Sequence, residues 1–507
     1  MSTPRMNEPA ELQESRKAIV ALLQETDEEI AGTLTHLQRL KLRRLDTLGD
    51  LNALDSPFLQ LPPELICEIF IQCLPPPQTL PSPNAAPLLL GQVCRRWRNI
   101  SLSLPALWNS LSVASVFSAS PTNEQLAMLD LWLERAGDST LSISIVHVEN
   151  ESYPILATEM AAGRTRSQIY RKIRRSSHRW RELEIVRRLG EFPALLHRDD
   201  PWNLPELVKL SLLLCHGGRH PTQFPPDMLS NLMDAPALRE VHLMGFTPNC
   251  LLLPWGQLTT AVVENLLPIE FLQTLARLTS LTTGTFTLWP TQRFHIPNHA
   301  PNVLLPRLTS LTLTGELCTP LLDYLDLPSL SHFHLALGTL NDAGPLFAFL
   351  QRGNPHLKSI ALDARCALSP NDLVSLLDAL SHVEVLDLST HMGLMNGIFP
   401  RALGSLSTGS VLPNVRSLTV RELIDRYHEP PLDEATVVDM LKARWAGGKG
   451  ALKRFCLVST HVFAATGAQI HPGFSMLAKE GMAIELRSHG SGPFLAVYFK
   501  GGPQQPN

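Results

Sequence analysis

The 507-residue chain has little of what an enzyme, a membrane protein or a disulfide-built domain needs. No run of 18 apolar residues occurs, which excludes an ordinary membrane-spanning helix. The opening residues, MSTPRMNEPAEL, carry no apolar signal core, so an intracellular chain is expected, in cytoplasm or nucleus. The eight cysteines (Cys67, Cys73, Cys94, Cys215, Cys250, Cys318, Cys366 and Cys456) contain no C-x-x-C pair. That removes zinc-knuckle and redox readings and leaves free, mostly buried thiols in a reducing compartment. No G-x-x-x-x-G-K-[ST], G-x-S-x-G, H-E-x-x-H or G-x-G-x-x-G is present. GGKG at Gly447 has neither a strand before it nor a hydroxyl after it. His216 and His220 stand four apart, but Gly217, Gly218 and Pro221 deny them a helix face. Ser491 in HGSGP has no base identifiable beside it. The expectation is a chain that is not an enzyme, with no catalytic residues, no cofactor and no metal. A net charge of −4 gives no general attraction to nucleic acid or membrane.

What is present divides the chain. At this length two to four structural units are expected. From Glu8 to Gly49 no proline follows Pro9, and only Gly32 precedes Gly49. Leu23, Ile30 and Leu37 stand seven apart, and Leu12, Ile19, Leu34, Leu40 and Leu48 fall near the same stripe. The pattern predicts one long amphipathic helix over residues 1–55. Asp27 and Lys41 interrupt its second seam. Self-association through residues 8–48, packing on the same chain and a solvated arm all remain open.

Residues 56–112 read as a small all-α module. Pro62 and Pro63 suit a first helical turn, and Glu64 suits the positive end of the helix dipole. Leu65, Ile66, Ile69 and Phe70 make an i, i+1, i+4, i+5 stripe. The segment CLPPPQTLPSPNAAP is loop, and LLLGQVCRRWRNIS resumes a helix with Leu89, Val93 and Trp97 on one face. Two such helices bury too little to be very stable alone, so the unit completes its core against a partner or against the rest of its own chain.

The residue order in this stretch resembles the F-box: L-P-x-E-L-x-x-x-I-F, then V-C-R-R-W-R, then P-x-L-W. The proline-rich loop is longer than in a compact F-box. With the helix before it, the stretch is similar to the large F-box families of mushroom-forming (basidiomycete) fungi. The resemblance implies binding to a Skp-type adaptor, and through it to a cullin, by residues matching the motif: Leu61, Pro62, Leu65, Ile69, Val93, Cys94 and Trp97. Pro62 is expected at the partner surface, and Leu65 and Trp97 inside the module.

Residues 113–500 open with a helix, turn and strand, NEQLAMLDLWLERAGDSTLSISIV. The helix stripe is Leu126, Leu129, Leu133 and Ala136, and Leu141, Ile143 and Ile145 alternate along the strand. Residues 171–188 hold eight Lys or Arg. Trp180, Leu183 and Ile185 break that run as a buried strand would, so the cluster reads as solvated faces rather than a nucleic-acid site. From Trp180 one triplet recurs, apolar at i, i+3 and i+5. It appears at Leu207/Leu210/Leu212, Leu238/Val241/Leu243, Leu308/Leu311/Leu313, Leu330/Phe333/Leu335, Leu357/Ile360/Leu362, Val383/Leu386/Leu388, Val415/Leu418/Val420 and Leu452/Phe455/Leu457. A degenerate copy is read at Leu278/Leu281/Thr283. This resembles the L-x-x-L-x-L core of leucine-rich repeats, whose last two apolar positions point inward from one strand. Unit lengths vary from 22 to 40 residues. The Asn or Cys expected three residues past the core is met only by Cys215. An irregular α/β leucine-rich-repeat solenoid with a parallel sheet is expected, capped by two terminal strands in MAIELRSHGSGPFLAVYFK, with residues 501–507 a disordered tail. An ordinary α/β domain with parallel strands is the alternative. Together these features imply a substrate-recognition adaptor of an SCF-type (Skp–cullin–F-box) ubiquitin ligase, its repeats holding an unknown protein substrate. A non-ligase interaction scaffold with a docking or vestigial F-box is the other reading.

Overall fold

The computed structural model describes residues 10–115, 123–147, 169, 171–187, 202–214, 232, 234–246, 248–289, 300–316, 318–340, 344–352, 357–366, 370–391, 406, 411–423, 434–445, 451–459, 471–488 and 496–499. The chain divides into two compact units. One holds the residues up to Pro76, then Pro81–Trp108 and Arg135–Gly137, and the other holds Pro77–Leu80, Asn109–Glu134 and the chain from Asp138.

The first unit is helical. Helix α1 runs Ala10–Asp55, a single 46-residue element. A 3-10 turn at Pro57–Gln60 leads to α2, Pro63–Gln72, with Pro63 in its first turn and Glu64 beside it. The expected single helix over LLLGQVCRRWRNIS is instead two, α3 at Leu90–Val93 and α4 at Arg95–Ser103. Cys94 separates them in extended conformation (φ −155°, ψ 171°), and its Sγ accepts a hydrogen bond from the Trp97 N–H at 3.4 Å. A side-chain cap on the new helix replaces the bond that a continuous helix would have made there.

The second unit is built on one sheet. Helix α5, Asn123–Arg135, leads through Gly137 (φ +53°) into a strand. The strands are β1 (Ser110–Ser115), β2 (Leu141–His147), β3 (Trp180–Arg187), β4 (Lys209–Leu214), β5 (Glu240–Met244), β6 (Thr260–Leu266), β7 (Thr283–Leu288), β8 (Val303–Leu304), β9 (Ser310–Thr314), β10 (Leu325–Asp326), β11 (His332–Leu340), β12 (Ser359–Cys366), β13 (Val385–His391), β14 (Ser417–Leu423), β15 (Arg454–Ser459), β16 (Ala483–Ser488) and β17 (Ala496–Phe499). Among the described residues fifteen of these join in one sheet, in sequence order, with only β8 and β10 left out to pair with each other. Each neighbour pair is parallel except the last, where β17 runs antiparallel to β16. Parallel neighbours need crossovers, and helices at Pro268–Arg277, Gly344–Gln351, Pro370–Ala379, Glu434–Trp445 and Pro472–Lys479 lie between strands.

The triplet positions stack in register. One row passes through Leu183, Leu210, Val241, Ala261, Gly284, Leu311, Phe333, Ile360, Leu386, Leu418, Phe455 and Ile484. A second lies two residues on, through Ile185, Leu243, Phe286 and Leu388 to Leu486. Side chains two apart share a strand face, so each row is continuous, and its members are buried.

The register corrects the degenerate copy. Thr283 is exposed, and the triplet in frame is Leu281/Gly284/Phe286. A Cβ on Gly284 would lie 2.6 Å from Cε2 of Phe286, so the missing side chain houses the ring two residues on. A further copy, Leu258/Ala261/Val263 on β6, was hidden by its small middle residue. Gly284→Val is expected to destabilise the protein by about 1–3 kcal/mol through overpacking. Adding Phe286→Leu should recover most of that loss in thermal unfolding. Purely additive losses would mean that the two positions do not share the space.

In the basic stretch, residues 171–175 are helical and β3 buries Trp180, Leu183 and Ile185. Lys172 pairs with Asp130 at 2.5 Å, and the Arg179 Nε–H donates to the Ser139 carbonyl at 3.0 Å. Thiol burial is less general than expected: Cys318 and Cys456 are buried, Cys67 and Cys94 half-buried, and Cys73 exposed. Burial pushes the Cys318 thiol up to about 12. Cys215, His216, His220, Gly447, Ser491 and the 501–507 tail lie outside the described residues.

Candidate functional site

The helical module holds itself together with one aromatic cluster. Ile66 and Phe70, four apart on α2, are fully buried. The Trp97 ring from α4 packs against Phe70 (centroids 5.0 Å apart, edge-on) and Phe58 (5.1 Å). Edge-on aromatic pairs gain about 0.5–1.5 kcal/mol beyond their buried area. Polar bonds fix the rest. The Arg96 guanidinium donates to the Leu61 carbonyl at 3.1 Å, tying α4 to the entrance of α2. Arg98 donates to the Gly91 carbonyl at 2.7 Å, closing the α3–α4 corner. The Trp108 indole N–H donates to the Ser101 carbonyl at 2.8 Å, and the Arg135 guanidinium lies over its ring, 4.5 Å from the centroid.

With that interior fixed, the neighbouring stripe on α2 points away from it. Leu65 is 52% exposed and Ile69 38%. The helix stripe is therefore split: Ile66 and Phe70 face in, while Leu65 and Ile69 face out. Leu65, expected inside, is corrected to a surface residue, because Trp97 occupies the side of α2 where Ile66 and Phe70 lie. Pro62 is exposed, Leu61 and Cys94 are half-buried, and Val93 is 55% exposed. Trp97, expected inside, is half-buried, with its ring packed on Phe70 and Phe58. Leu102, 40% exposed on α4, is an apolar surface residue that motif reading passed over, and Leu89 at 43% is four residues from Val93.

The proline-rich insertion leaves Leu65 and Ile69 uncovered. Its later part folds back on α3: the Leu89 N–H bonds the Ala85 carbonyl at 2.9 Å, and the Gln92 side chain donates to the Pro83 carbonyl at 2.9 Å. Pro87 is buried there. Pro77–Leu80 group with the sheet unit, where the Ser112 hydroxyl donates to the Pro77 carbonyl at 2.7 Å.

Chemically this surface offers apolar area. Fully burying one large aliphatic side chain stabilises a complex by roughly 1.5–3 kcal/mol, so a few exposed anchors on a rigid helix suffice for recognition. Among the described residues, no group of three His, Cys, Asp or Glu could hold a metal ion. Nor is any helix among them long and apolar enough to cross a membrane.

A family model described as F-box-like matches residues 58–114. No match was found among curated proteins.

Proposed function

We propose that the chain is a substrate-recognition adaptor of an SCF-type ubiquitin ligase. The F-box-like domain at residues 58–114 docks a Skp-type adaptor, which connects it to a cullin. The observation that carries this reading is the split stripe of α2 inside that domain: Leu65 and Ile69 are presented outward, while Ile66 and Phe70 are buried with the Trp97 ring packed on Phe70. Leu61, Pro62, Val93 and Cys94 complete the docking surface, with Trp97 holding α2 in place behind it.

The sheet unit is read as an irregular leucine-rich-repeat stack that holds a protein substrate. The sequence-ordered parallel strands and in-register apolar rows support this reading. On the other face of the strands the register lines up polar residues, among them Thr285, Thr312 and His334. Ubiquitin transfer itself falls to other subunits of the ligase. The chain contributes proximity and orientation, inside the cell and without a cofactor.

Purification of the full chain from cells tests the reading. A Skp-type adaptor and a cullin should co-purify. Recovery of the adaptor without a cullin would favour a non-ligase scaffold with a docking F-box, and recovery of neither would sink the ligase reading and leave a scaffold with a vestigial F-box.

A further inference from the structure

Helix α1 carries a long apolar seam that the described parts of its own chain leave open. Ile19, Leu23, Ile30, Leu34, Leu37 and Leu48 are each 45–60% exposed. At about 1.5 Å per residue the helix is roughly 69 Å long, and a helix in a protein draws most of its stability from packing its apolar face. Its charges are segregated. Glu25, Asp27, Glu28 and Glu29 form an acidic block with no base among them. Arg39, Lys41, Arg43 and Arg44 form a basic block with no acid among them. Asp46, just beyond, is paired with Arg95 at 2.6 Å.

We propose that α1 pairs antiparallel with α1 of a second copy of this chain, in a register where residues whose numbers add to about 69 come level. Two separate features select that register. The first is charge: the centres of the acidic and basic blocks meet there, so each block faces its opposite, whereas a parallel pair would set acid on acid and base on base. The second is apolar packing. Leu34 enters the gap between Leu34 and Leu37 of the other copy, Ile30 the gap between Leu37 and Leu40, and Leu23 the gap between Leu45 and Leu48. Each is a knob between side chains one helical turn apart. The same register explains the two residues that interrupt the seam. Asp27 and Lys41 lie on one side of the helix and come level with each other across the pair. A polar interruption that matches only in one alignment specifies that alignment. Both are exposed, so neither is spent on the interior of the chain.

Sedimentation equilibrium of the full chain tests the proposal. The wild type should be a dimer, and Leu34→Asp with Leu37→Asp should make it a monomer. Asp27→Lys and Lys41→Asp should each weaken dimerisation about tenfold by setting like charges level, and the two together should restore it. A monomeric wild type overturns the proposal, as does a dimer that survives the Leu34, Leu37 change. Failure of the double charge exchange to restore the dimer overturns the antiparallel register.

Discussion

A Leu65→Asp, Ile69→Asp double variant should keep its helical signal and, if the proposed docking holds, should bind a Skp-type adaptor more than about a hundredfold more weakly than the parent. Both side chains already face outward on α2, at 52% and 38% exposure, so removing them opens no cavity. The cost to folding is confined to helix propensity, about half a kcal/mol per Asp. The cost to binding is much larger. The exposed parts of Leu65 and Ile69 add up to about one whole side chain, so losing them removes roughly 1.5–3 kcal/mol, and each carboxylate would also be stripped of water in a dry interface. Calorimetric titration of purified adaptor into each variant, with circular dichroism as the control, measures the difference. The milder Leu61→Ala, Pro62→Ala change should weaken binding in the same direction. An unchanged dissociation constant for the Asp pair in a folded protein would refute the docking surface proposed on α2.

One position further along the same helix the outcome reverses in kind. Phe70→Ala should open the module itself. Phe70 is fully buried and edge-on to Trp97, so truncation leaves a cavity where the aromatic cluster stood. Such changes cost about 3–5 kcal/mol, comparable to everything a unit of this size gains from its interior. Hydrogen exchange over residues 61–108 should rise steeply in this variant and stay near the parental rate in the Leu65, Ile69 pair. Adaptor binding should fall in both, for different reasons: one loses the proposed contact, the other loses the helix that presents it. Parental exchange over residues 61–108 in Phe70→Ala would mean that the aromatic cluster does not hold the module together.

Much of this architecture was legible in the residues. A strand with one buried face must alternate, and neighbours on a parallel ladder repeat the same offset. The i, i+3, i+5 triplet therefore marks most strands of the sheet in the sequence itself. Proline at the start of α2, the absence of proline through α1 and the residue order of the F-box-like stretch were equally local signals, since each constrains only its own turn of chain. The tertiary structure decided what depends on volume and on partners far along the sequence. Gly284 and Ala261 do not look like core residues, yet they fill core slots, because the slot's content is set by Phe286 and by the strands on either side. Cys94 reads as one more helical residue until its sulfur caps the helix that follows. On α2 the stripe of Leu65, Ile66, Ile69 and Phe70 is wider than one interface needs. Periodicity alone cannot say which half is the interior, because that depends on where Trp97, nearly thirty residues later, comes to lie. Once it packs on Phe70, Ile66 and Phe70 are core and Leu65 and Ile69 are surface.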